Sequence, residues 1–511
     1  MNYLSMELRK TKRRGIWLVL TAFLLVFGAW MYYCVDDDRF LDLGWMMNLY
    51  NAPLINAILL PTGVAVFASR IIDMEHKGNT WKLLETLQSK FALYLAKILY
   101  GFIGIFIFSV AELGILFLLG HQIGFQGSPD LWAYALYFMY TLMITFNLFL
   151  LQMILSLVFR SQAVALCTGI CGSMAGLFLM FIPQCQILKN LIPWGHYGTT
   201  MFVGMDWNEE TRITGFYYSN QDNGALFFVI GWLIVLLIGG WFFFKYMDTE
   251  GYHFQVLHIG SKETKSQKPV TLPRIPAELI KIKRTPIWIA FIILPLISAL
   301  IGTFNYLNNL DLLKSSWYSL WTQHSLFFCY FFMPPLIGVY SGYLWRMEHS
   351  GTNWNMLLVN APAWRIVLDK LAVCSAMTFL TLLWLGFLFI VCGLCAGITQ
   401  PVPAALIEWL FCGLIGGIAV CAVQCFLSLV IRSFAIPIGI ALIGGFAGLI
   451  ATSQGLFYAI PYSLFSVGMR ANNPNLPLDT IPFTLSSIAF IVTFYLLSVW
   501  YLRHHDVRTQ E

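Results

Sequence analysis

The chain has 511 residues, 59% of them hydrophobic and 11% charged, with a net charge of +5 and a mean hydropathy of +0.72. A soluble domain carries roughly 25% charged residues, so a wholly water-soluble fold is excluded and part of the solvent must be lipid. The basic residues flank apolar runs and form no continuous face, which argues against a nucleic-acid binder.

Twelve stretches approach the ~20 apolar residues that a spanning helix needs. Residues 1–14 predict a short amphipathic helix on the inner membrane surface, with Leu4 and Leu8 one turn apart and then Arg9, Lys10, Lys12, Arg13 and Arg14. A basic tail that only sets topology is the alternative. The apolar run 16–34 is too long for a signal-peptide core of 7–15 residues and reads as a retained first span. An acidic loop follows, with Asp36, Asp37, Asp38 and Asp42, then a second span over 49–69 that contains Pro61. Spans three to six are expected over 98–119, 131–159, 163–182 and 225–244, with a polar excursion between the last two.

Residues 248–275 are polar and read as a soluble linker. After them Glu278-Leu279-Ile280-Lys281 repeats Glu7-Leu8-Arg9-Lys10, and six further spans follow over 287–304, 326–345, 371–395, 404–431, 435–450 and 481–500. Glu348, Pro334 and Lys370 each lie 273 residues after Glu75, Pro61 and Lys97. Late in each half Gln152, Leu155, Ser156, Leu157, Val158, Arg160 and Ser161 match Gln424, Leu427, Ser428, Leu429, Val430, Arg432 and Ser433. Such matches in one order mark a duplication. The expected fold is all-α and integral to the membrane: about 12 spans in two six-helix repeats, 1–247 and 276–511. Six is even, so the repeats run parallel. With both termini in the cytoplasm, 25 of the 30 Lys and Arg residues fall on that side, as the positive-inside rule requires.

Between the second and third spans of each half lies a short polar stretch, Met74-Glu75-His76-Lys77-Gly78-Asn79-Thr80-Trp81 and Met347-Glu348-His349-Ser350-Gly351-Thr352-Asn353-Trp354. The glycines allow a helix to end in a left-handed turn. Asn79-Thr80 and Thr352-Asn353 suit the cap of a new helix. Trp81 and Trp354 then enter its first turn, with Leu84 and Leu357 on the same face. A helix this short needs a surface to lie on, and tryptophan suits either lipid headgroups or a partner protein.

The stretch from Glu75 to Leu84, placed between spans two and three of a six-span unit, resembles the membrane subunits of type-2 ATP-binding-cassette exporters. It is most similar to lantibiotic-immunity permeases, with two units joined in one chain. The resemblance implies that Glu75, Gly78, Asn79 and Trp81, with Glu348, Gly351, Asn353 and Trp354, form coupling helices that dock on a separate ATPase dimer. Ser350 stands where the first copy has Lys77, so the two docks need not be equivalent. The chain has no Gly-x-x-x-x-Gly-Lys-Ser/Thr phosphate loop, so ATP and Mg belong to the partner. The implied function is a bacterial plasma-membrane permease that clears an amphipathic antimicrobial peptide. The alternatives are export of a drug, lipid or glycan, or a motor-independent channel or peptide-sequestering receptor. An intramembrane enzyme would need clustered polar groups at depth and finds only isolated ones.

Glu112 and Glu408 fall near the outer ends of spans without a counterpart in the other repeat. Carboxylates there are candidate contacts along a substrate path. Pro61 and Pro334-Pro335 are candidate hinges. His121, His196 and His324 lack metal-ligand spacing, so no metal site is expected. The eleven cysteines, Cys392 and Cys395 included, read as small apolar residues.

Overall fold

The structure, a computed structural model, describes residues 3–11, 16–35, 38–78, 80–159, 162–180, 186–207, 214–219, 223–246, 278, 282, 285, 287–310, 313, 316–346, 348–349, 361–471, 474–475 and 477–505. The expected linker 248–275 and most of the second lead-in helix lie outside these residues. The chain divides into two compact units, Met1–Phe254 and Gln255–Glu511.

In the first unit a surface helix α1 (Tyr3–Thr11) precedes α2 (Ile16–Val35) and a long helix α3 (Gly44–Gly78). A seven-residue helix α4 (Trp81–Leu87) leads into α5 (Lys90–Ile123), α6 (Leu131–Val158) and α7 (Gln162–Met180). After the short α8 (Gln186–Leu191), a 3-10 segment (Pro193–Thr200) and two strands, α9 (Asn223–Tyr246) ends the unit. The boundaries follow local chemistry. The Ser89 hydroxyl accepts from the Ala92 N–H at 3.3 Å and opens α5, whereas Gly124 closes it in a left-handed conformation at φ 87°. The Asp130 carboxylate accepts from the N–H groups of Trp132 and Ala133 and opens α6.

The second unit holds α10 (Ile287–Asn308), α11 (Trp317–Arg346), α12 (Ala363–Cys395), α13 (Ala405–Val430), α14 (Ala435–Ser453), a short α15 (Pro461–Gly468) and α16 (Thr480–His504). Among the described residues eleven helices are long and apolar enough to cross a membrane, and α7 is a shorter apolar helix. Each unit is built around its second span: 94% of the apolar window of α3 and 89% of that of α11 is buried. These helices can be enclosed because their spans are mostly apolar and their few buried polar side chains find partners inside the unit, as Asn56 does, and small residues let neighbours approach closely. Gly101 of α5, for example, takes the ring of Phe149 from α6 where a Cβ would otherwise stand.

Two features depart from the sequence expectation. The excursion before α9 contains an antiparallel hairpin, β1 (Val203–Trp207) with β2 (Thr214–Tyr218), so the unit is not purely helical. Aromatic residues favour strands, and the ring of Phe216 packs on Tyr50 of α3 with centroids 5.6 Å apart. Second, the two prolines act differently. α3 stays α-helical through Pro61, whereas α11 opens into a π-turn over Phe328–Phe332 just before Pro334.

Candidate functional site

At the end of each unit where α3 or α11 terminates, buried charges meet. In the first unit Lys97, in the second turn of α5, places its Nζ 3.1 Å from Glu75 Oε1 and 3.5 Å from Glu7 Oε2. Lys10 of α1 adds a second ammonium, 2.8 Å from Glu75 Oε1 and 3.0 Å from Glu7 Oε1. Glu7 and Glu75 are each only 2% exposed and Lys97 1%. Burial is the largest single influence on Lys10 and favours its neutral amine. The two carboxylates together outweigh it and hold the ammonium above its ordinary value.

The second unit rebuilds this clamp with other residues of the same types. Lys370 Nζ lies 3.0 Å from Glu348 Oε1, 3.2 Å from Glu278 Oε2 and 2.7 Å from the Leu344 carbonyl. All three charged side chains are buried. Each clamp therefore joins three segments: the lead-in segment, the end of the unit's central helix, and the following span. Buried charges of this kind are held together by their mutual pairing, since separating them leaves a charge without compensation.

The clamp extends into α4. The Thr80 hydroxyl donates to Glu75 Oε2. It was expected to accept from an N–H as a helix cap, but it makes no such bond. A carboxylate oxygen is the stronger acceptor for an O–H, so the hydroxyl turns toward it. Trp81 Nε1 donates to His76 Nδ1 at 3.2 Å, which leaves the proton of the neutral imidazole on Nε2. That Nε2 lies 3.3 Å from the Ser156 carbonyl at the end of α6. The second unit repeats the contact, His349 Nε2 to the Ser428 carbonyl at 3.0 Å. The matched segments 152–161 and 424–433 thus supply the carbonyl that anchors each histidine.

Residues 3–176 and residues 274–448 each match the ABC-2 family transporter protein. The chain belongs to the ABC-2 transporter family. No curated protein matches it. With its apolar helices, this ABC-2 protein is a multi-pass membrane component of a transporter, of a family that typically pairs with an ATP-binding-cassette ATPase.

In the ABC-2 fold seen here the residues singled out by sequence separate into groups. Glu75 and Glu348 are the hubs of the two clamps. Gly78 closes α3. Asn79, Gly351, Asn353 and Trp354 lie outside the described residues. Trp81, expected to lie on lipid or a partner, is instead 5% exposed. Its ring packs edge-on against Phe244 of α9, with Lys97 Nζ 5.5 Å from the centroid. The surface that this helix needs is its own bundle. Leu84 shares the buried face, and Leu83 and Leu87 occupy the opposite, exposed one.

Glu112 is enclosed between helices and Glu408 is largely exposed, paired with Arg470 at 3.0 Å. Sequence reasoning missed Glu7, Lys10, Lys97, Glu278 and Lys370 as site residues. The signal was present in the matched positions of Lys97 and Lys370. A charge retained at the same place in two apolar repeats needs a buried partner, and the matched glutamates were the available ones.

Burial holds the His349 imidazole below its ordinary value, with Arg432 and Lys370 lowering it further and the Ser428 carbonyl and Glu348 raising it. The folded protein therefore binds that proton more weakly than the unfolded chain. Its contribution to stability is complete above about pH 6.5 and shrinks as pH falls through that value. His349→Gln is expected to flatten the acid-side fall of melting temperature measured between about pH 7.5 and about pH 5.5.

Proposed function

We propose that this chain is the membrane permease of an ATP-driven exporter, with both termini in the cytoplasm and both clamps facing a separate ATPase dimer. The observation that carries the reading is the clamp built twice, each time between the central helix and the next span. In the first unit α4 is tied to it through Thr80 and Glu75. Movement of α4 would reach α5 through Glu75 and Lys97 without passing through flexible chain. ATP and Mg would sit on the partner, and this chain would supply the path. The favoured cargo is an amphipathic, lantibiotic-like antimicrobial peptide taken from the lipid of a bacterial plasma membrane. The resemblance of the Glu75–Trp81 stretch to immunity permeases supports that choice.

The docking face is the exposed pair Leu83 and Leu87, one turn apart on α4, with Trp81 holding the helix in place from behind. Replacing both leucines by glutamate is expected to weaken ATPase capture by about 30-fold or more, the equivalent of losing an anchor of ~2 kcal/mol. Membrane insertion and melting temperature should stay at their wild-type values. Undiminished co-purification of the ATPase with the double variant would overturn this assignment. Sensitivity of a deletion strain to lantibiotic-like peptides, set beside lipophilic drugs, tests the cargo.

A further inference from the structure

The one carboxyl on α5 belongs to a different construction. Glu112 follows Lys97 by 15 residues, about 22 Å along the helix, and is 1% exposed. Asn56 of α3 places Nδ2 2.5 Å from Glu112 Oε1 and 2.7 Å from the Tyr137 hydroxyl oxygen. The Tyr137 hydroxyl, from α6, donates to the same Oε1. Both neighbours therefore serve one carboxyl oxygen. The other, Oε2, is buried with no hydrogen-bond partner, as are Asn56 Oδ1 and the hydroxyl of Ser109.

Among the described residues no Lys, Arg or His forms an ion pair with Glu112. The titratable groups that face it are Tyr137 on α6 and Tyr197 of the 3-10 segment, whose hydroxyl lies 3.0 Å from Thr145. α3 presents Asn56, and α5 itself Ser109. An ionised carboxylate here would be a charge in an enclosed site with half of its lone pairs facing no donor, which is costly. A proton on Oε2 removes the charge and turns that oxygen into a donor. The fold does not demand this polar node. At the matching positions the second unit has Cys329, Leu385 and Trp409, all buried.

We propose that Glu112 is a proton-binding site: its Oε2 holds one proton taken from water, and the resulting neutral acid fastens α3, α5 and α6 to one another. The residue is then an internal lock of the first unit and touches no cargo. This inference does not depend on the ATPase partnership. Infrared difference spectroscopy of the full-length protein in lipid nanodiscs tests it directly. Wild type at neutral pH should show the carbonyl stretch of a protonated carboxylic acid, and Glu112→Gln should lose that band. Glu112→Gln, a neutral isostere, should melt with the wild type. Glu112→Leu should melt lower, because it leaves Asn56 and Tyr137 unpartnered. Absence of the band from wild type at neutral pH overturns the proposal. So does a Glu112→Gln protein that fails to fold or melts as low as Glu112→Leu, since the neutral form would then not be the native one.

Discussion

Lys370→Ala is expected to cost about 3–5 kcal/mol, the loss seen when one partner is removed from a buried ion pair. Glu348 and Glu278, both buried, would each lose the ammonium that they share. Against a total stability of about 5–15 kcal/mol, that is enough to lower the melting temperature of the second unit sharply. Melting curves of wild type and Lys370→Ala in detergent measure the loss. A Lys370→Ala protein that melts with the wild type would remove the clamp from the argument.

Stability and transmission can be separated at the same site. Replacing a whole buried pair by apolar side chains of similar volume is often neutral or stabilising. The same holds for a triad, so Glu278→Leu and Glu348→Leu with Lys370→Met should recover much of the melting temperature that Lys370→Ala loses. It should not recover export, because the end of α11 and the start of α12 would then touch without being tied. Export that returns together with stability would make the clamp a packing device only.

The spans and the repeat were legible because both are set by hydrophobic length and by spacing along the chain. The matched pairs Glu75/Glu348 and Lys97/Lys370 were readable for the same reason, though their meeting across two helices was not. Trp81 shows where the reading had to stop. A tryptophan beside a membrane suits lipid, partner or its own bundle, and only the position of Phe244 on a distant helix decides among them. Thr80 was legible as a polar residue at a helix start, but its choice of Glu75 depends on a carboxylate brought close by folding. The hairpin was hidden because a short strand pair inside a polar excursion has no period long enough to read. Glu112 stood out as a charge in an apolar run, while its partners Asn56 and Tyr137 lie 56 and 25 residues away.

Gly445→Ala is expected to be destabilising by at least about 1–3 kcal/mol, as overpacking of a close-packed core is, although alanine is the better helix former. The reason lies in the prolines of α11. Tyr330 would normally give its carbonyl to the N–H four residues on, or five residues on in a π-turn, but Pro334 and Pro335 occupy both positions and neither has an N–H. The helix opens over Phe328–Phe332, with the Met333 N–H bonding back to the Phe328 carbonyl. The Tyr330 carbonyl oxygen then stands against Gly445 of α14, in the space that a Cβ would fill, and the Pro334 ring is 3.5 Å from the same point. A methyl group there meets backbone, which cannot swing aside as a side chain would. In the first unit Thr62 follows Pro61 and keeps its N–H, so α3 needs no such turn. Pro334→Ala should restore a donor for Tyr330 and draw its carbonyl back into the helix. The double variant Gly445→Ala with Pro334→Ala is therefore expected to be more stable than the sum of the single losses, by the coupling that neighbouring sites show, about 0.5–3 kcal/mol. Gly231→Ala in α9, where a Cβ meets nothing within 4 Å, is the control and should be neutral or slightly stabilising. Strict additivity of the Gly445 and Pro334 losses in a double-mutant cycle would show that the carbonyl does not link the two helices.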